Sequence, residues 1–99
     1  MRIRRSIGTG LGALAIVAGA AVPALATVTY PGGGTWSYGT NSTEVYSNYY
    51  HPSNNHRSSV INGYGEYLSS GCKSPGVWAY ASERADPNRV DNAYWSNSC

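Results

Sequence analysis

The sequence predicts an all-β protein: a small antiparallel β-sandwich of two sheets, five to six short strands and one disulfide. Three observations lead there. Several short runs alternate between two kinds of side chain with a period of two, which is the repeat of an extended strand. Gly, Pro, Asn and Ser clusters punctuate those runs at short intervals. Only Ser82 to Arg89 could form a helical turn, and Pro87 restricts it. The clearest run follows the turn residues Pro75-Gly76. Val77, Ala79 and Ala81 fall on one side, Trp78, Tyr80 and Ser82 on the other. Small aliphatics opposite large aromatics suggest a middle strand with both faces in use.

Met1 to Ala26 has the composition of a secretory signal: Arg2, Arg4 and Arg5, then an uncharged run from Ile7 to Val22, then an Ala-x-Ala site at Ala24 to Ala26. Cleavage after Ala26 leaves a single domain, Thr27 to Cys99 (residues 1–26 being the signal and 27–99 the β-sandwich), exported from the cell. Three of the seven basic residues leave with the leader. Arg57, Lys73, Arg84 and Arg89 then face Glu44, Glu66, Glu83, Asp86 and Asp91, so the domain is almost neutral. It has no electrostatic footprint for nucleic acid and does not resemble a cationic membrane-active peptide.

In chain order, Thr27 to Gly34 reads as a flexible lead-in ending in Gly32-Gly33-Gly34, with no phosphate-binding pattern after it. Thr35 to Gly39 is the first strand, with Trp36 and Tyr38 on one face. Glu44 to His51 is the second, Val45, Ser47 and Tyr49 opposing Tyr46, Asn48 and Tyr50. Pro52 to Asn55 is a turn, and His56 to Asn62 the third strand; the spacing of these two strands predicts a hairpin. Gly63 to Lys73 is a long connection or a weak strand through Tyr64 and Tyr67. The strand from Val77 comes next, then a polar loop from Glu83 to Asn88 and a last strand from Asp91 to Trp95.

So small a domain buries little apolar surface, and this one has no Phe and few aliphatics. Its bulk comes from nine Tyr and three Trp. In the oxidising compartment beyond the membrane Cys72 and Cys99 pair, and the closed loop contributes about 3 kcal/mol through chain entropy.

An ordered set of short pieces resembles one family. Gly34-Thr35-Trp36 with Tyr38-Gly39, Tyr46-Ser47-Asn48-Tyr49-Tyr50-His51, His56, Ser58-Ser59-Val60, Gly76-Val77-Trp78-Ala79 and Tyr94-Trp95 resemble the lactococcin 972 family of bacteriocins, over about Gly34 to Trp95. That resemblance implies a secreted β-sandwich that antagonises Gram-positive cells. It implies a partner too: lipid II, the lipid-linked peptidoglycan precursor, bound at the outer membrane surface without spanning it, with septum synthesis blocked. The best-known type of member lacks cysteines, so the disulfide is inferred from redox chemistry alone.

For binding chemistry the aromatic inventory matters most. Sugar faces stack on Tyr and Trp rings, while Asn, Ser and Tyr hydroxyls fix hydroxyl groups. Candidate ligand-binding residues are Trp36, Tyr38, Tyr46, Asn48 and Tyr50, with His51, His56 and Arg57 near the adjoining turn. The planar fork of Arg57 could pair with a pyrophosphate. The plainer reading of these rings is core, since a domain short of aliphatics must bury most of them. His51 and His56 have no third ligand beside them, which favours structural roles over metal. No nucleophile motif and no cleft between paired carboxylates such as Asp86 and Asp91 points to catalysis, and neither cofactor nor metal is expected. The competing reading is an extracellular structural or adhesion module for glycan or protein. An inhibitor docking through Gly63 to Lys73 is a third.

Overall fold

The computed structural model describes residues 26–99; the leader expected over 1–26 lies, but for Ala26, outside the described residues. Seven strands follow in order: β1 (Thr27–Thr29), β2 (Thr35–Thr40), β3 (Glu44–Tyr50), β4 (Arg57–Ile61), β5 (Tyr67–Ser69), β6 (Trp78–Arg84) and β7 (Asn92–Ser96). They form two antiparallel sheets, a four-stranded one ordered β1-β2-β3-β6 and a three-stranded one ordered β5-β4-β7. The expected two-sheet sandwich is what the chain forms, with seven strands rather than five or six.

Three expectations are corrected. The lead-in is not a loose tether. Thr27 to Thr29 pair with Trp36 to Tyr38, and Pro31–Gly33 forms a 3-10 turn. Buried side chains hold that turn: the Tyr49 hydroxyl donates to the Pro31 carbonyl at 2.8 Å, and His51 Nε2 to the Gly32 carbonyl at 2.9 Å. The predicted hairpin between Glu44–His51 and His56–Asn62 does not form either. β3 pairs with β2 and β6, whereas β4 pairs with β5 and β7 in the other sheet. The segment from Pro52 to Asn55 therefore carries the chain between layers. Both strands alternate, so each needs one covered face, and setting those faces against each other buries more than laying the strands edge to edge.

The third correction concerns the strand after Pro75-Gly76, which is an edge strand. Side chains from the other sheet donate to its backbone carbonyls. Ser58 Oγ donates to the Ala79 carbonyl at 2.9 Å and Asn62 Nδ2 to the Arg84 carbonyl at 2.9 Å. His56 Nε2 lies 2.6 Å from the Val77 carbonyl. Ser58 and Asn62 thus act as donors that tie β6 to the other sheet.

The core is small and mixed. Val45, Tyr49, Val60, Ala79 and Ala81 are buried, with Ala93 against them, and Trp95 sits 5.3 Å from the Tyr49 ring. Ser47, Ser58 and His56 are buried too. Burial of a polar group costs free energy unless it finds a partner. Ser47 Oγ has two: it accepts from Trp36 Nε1 at 2.9 Å and donates to the Tyr94 carbonyl at 2.7 Å, joining the two sheets. Cys72 and Cys99 form the expected disulfide, their Cα atoms 5.9 Å apart, which ties the chain end to the segment before β6.

Candidate functional site

The period of two sends Tyr46, Asn48 and Tyr50 of β3 away from the core. Register decides what stands beside them. Tyr46 pairs with Ser82, Asn48 with Tyr80 and Tyr50 with Trp78, so these six side chains share the outer face of the four-stranded sheet. On the inner face of the same strands the partners are Tyr49 with Ala79 and Ser47 with Ala81. The small alanines admit the opposing sheet, and the large rings of β6 are left outside.

Those rings form a continuous row. Trp78 lies 5.4 Å from Tyr50 and 6.2 Å from Tyr80, the latter pair inclined by only 22°. Tyr80 is 62% exposed. Beside the row runs a shallow groove of about 460 Å³, lined by Glu44, Tyr46, Asn48, Tyr80 and Ser82, with Leu68 and Ala81 at the corner where the sheets meet. Partial burial, and secondarily the Glu44 carboxylate, push the Tyr46 hydroxyl above its ordinary pKa. It therefore stays a neutral donor in the groove. Flat π-faces with interspersed amide and hydroxyl groups suit a ligand that is apolar on its faces and polar on its edges.

Charge is sparse on this face. Glu44 and Arg84 are cross-strand partners at one end. Arg84 is engaged already: Nε and a terminal nitrogen donate to Glu66 at 2.9 Å and 3.2 Å, and its guanidinium lies 4.1 Å over the Tyr64 ring. Hydrogen bonds from Arg84 and then Asn62 hold the Glu66 carboxyl below its ordinary range.

Of the eight candidates read from sequence, Tyr46, Asn48 and Tyr50 converge here. Trp36 and Tyr38 point to the opposite side of the sheet, their rings stacked 3.7 Å apart. His51 and His56 are buried in the crossover between sheets. His51 Nδ1 accepts from the backbone N–H groups of Ser53 at 3.1 Å and Asn54 at 2.9 Å, so the proton on its ring is at Nε2. The His56 nitrogens lie against the carbonyls of Asn54 and Val77. Arg57 is exposed on the outer face of the other sheet. Trp78 and Tyr80, absent from the candidate set, complete the row. Their alternation was visible in sequence; their position beside β3 was not. Among the described residues no group of three His, Cys, Asp or Glu could hold a metal ion, and no helix is long and apolar enough to cross a membrane.

The family model of the Lactococcin_972 bacteriocins matches residues 32–95. The chain belongs to this bacteriocin family. No curated protein and no solved structure matches it. The lactococcin 972 match begins in the turn before β2 and ends in β7, so it takes in every residue of the outer aromatic face. It includes Cys72 and stops short of Cys99. As a member of a bacteriocin family, the chain is an antibacterial, bacteriocin-like protein.

Proposed function

We propose that this bacteriocin is exported, the leader being removed after Ala26, and acts on Gram-positive cells without catalysis. It binds lipid II at the outer surface of the target membrane and blocks septum synthesis. The observation that supports this most is the outward row Tyr50–Trp78–Tyr80 with Asn48 beside it. A domain with a core this small gains by burying large rings, yet it leaves these in solvent contact, where they serve a ligand better than the fold. Nothing needs to be transformed for such an agent to act; occupying the precursor is enough.

The test uses purified protein starting at Thr27. It should inhibit growth of Gram-positive strains, with cells failing at the septum, and added lipid II should relieve inhibition in proportion to its amount. Trp78→Ala and Tyr80→Ala should each lose inhibition while keeping the melting temperature. Unrelieved inhibition would remove lipid II as the target. The same rings would also suit a surface module that grips wall glycan; retention on insoluble cell wall with no effect on growth would favour that reading.

A further inference from the structure

Building on the lipid II reading, we infer which part of the precursor the aromatic face holds: the uncharged, N-acetylated sugar pair, with the pyrophosphate left uncontacted. A pyrophosphate is recognised by guanidinium or ammonium groups, or by clustered backbone N–H groups at a helix N-terminus. Among the described residues this face offers no unengaged base and no helix N-terminus. Its one cation, Arg84, is held by two hydrogen bonds to Glu66 and lies over Tyr64, at the end of the sheet away from Tyr50 and Trp78. Its one free carboxylate, Glu44, borders the groove and repels a phosphate. Among the described residues, the remaining Lys and Arg stand elsewhere. Arg57 is on the outer face of the other sheet, Arg89 pairs with the buried Asp86 at 3.1 Å, and Lys73 lies in the bridge to His56.

What the face does offer is fitted to a pyranose. The axial C–H groups of a sugar ring make an apolar face that rests on an aromatic ring, and its equatorial hydroxyls point sideways to hydrogen-bonding groups. Steps of 5.4 Å and 6.2 Å between ring centres give successive platforms for more than one sugar. The Asn48 amide, the Tyr46 hydroxyl and Ser82 lie alongside, supplying both donors and acceptors. At the groove corner the exposed Leu68 gives a small apolar spot, suited to the methyl of an acetamido group. A lipid chain would gain from the rings but would leave the Asn48 amide and the Tyr46 hydroxyl facing hydrocarbon.

The experiment titrates the protein with three probes: the soluble GlcNAc–MurNAc peptide lacking pyrophosphate and lipid, undecaprenyl pyrophosphate, and intact lipid II in vesicles. Amide and indole N–H resonances report the soluble probe, and competition reports the others. The disaccharide should shift the Trp78 indole and the Asn48 and Tyr80 signals and compete with lipid II, whereas undecaprenyl pyrophosphate should not compete. Trp78→Ala and, as a second variant at a more exposed position, Tyr80→Ser should weaken disaccharide binding at least tenfold. Arg57→Gln should leave it unchanged. Competition by undecaprenyl pyrophosphate with none by the disaccharide overturns the inference and leaves the lipid II reading standing. Binding of the disaccharide without binding of intact lipid II removes the lipid-linked target but keeps the sugar site. Binding of neither overturns both.

Discussion

Tyr49 and Tyr50 are neighbours in sequence and stand on opposite sides of one sheet. Tyr49 is fully buried against Trp95 and donates its hydroxyl to the Pro31 carbonyl, while Tyr50 lies outside, its ring 5.4 Å from Trp78. One ring holds the fold and the other is free for a ligand. Their substitutions should therefore separate. Tyr49→Ala should cost about 3–5 kcal/mol, the range for emptying a buried aromatic site, and abolish activity by unfolding. Tyr50→Ala should cost about 1 kcal/mol or less and lose activity in a folded domain. Thermal melting beside growth inhibition checks both; equal losses of stability would deny the division of labour.

Gly34 has no room for a side chain. A Cβ there would run into the Tyr50 carbonyl oxygen and lie 2.7 Å from the Tyr49 hydroxyl. Gly34→Ala should push the Pro31–Gly33 turn off Tyr49 and lower stability by about 1–3 kcal/mol, as overpacking does. The melting temperature reads it directly.

The side chains that tie the second sheet to β6 should matter beyond their size. Ser58→Ala removes one oxygen and leaves the Ala79 carbonyl without that donor in a buried site. The expected loss is about 1–3 kcal/mol, read by denaturant unfolding. Ser59, next in sequence but on the outer face, should tolerate the same change with little effect.

Reduction of Cys72–Cys99 releases the chain end that places Trp95 over Tyr49. A loss of about 3 kcal/mol lowers melting by more than about 10 °C in a domain of this size. An unchanged melting curve in reductant would show that β7 holds its place without the bridge.

Alkali should weaken the fold through Tyr49 and Tyr46. Burial raises Tyr49 above the ordinary tyrosine value of 10.0, and burial with Glu44 raises Tyr46 likewise. A raised folded value means the neutral form is favoured in the fold. The stabilisation is then complete below pH 10.0 and is lost as pH rises through the higher folded values. Tyr49→Phe should start less stable and lose less above that point. At the acid end the sign reverses for Glu66, whose support is present above the ordinary carboxylate range and lost as pH falls through its lowered value. Its side chain is exposed, so the acid effect should be slight.

The alternation of Val45, Ser47 and Tyr49 against Tyr46, Asn48 and Tyr50 was enough to say that a strand runs there and which residues share a face, because the pleat fixes side-chain direction residue by residue. The fold class, the disulfide and half of the outer face follow from such local rules and from redox chemistry. Whether two strands pair edge to edge or face each other across a core is not local. Glu44–Tyr50 and Arg57–Ile61 have a connection that fits either arrangement, and the gain from burying both inner faces selects the crossover. The same choice set Trp78 beside Tyr50 rather than beside Trp36, assembling the aromatic row from segments far apart in the chain. Sequence alone determined which rings share a face of each strand; tertiary structure decided which face looks outward and which rings meet, because register and sheet order depend on the burial of the whole domain.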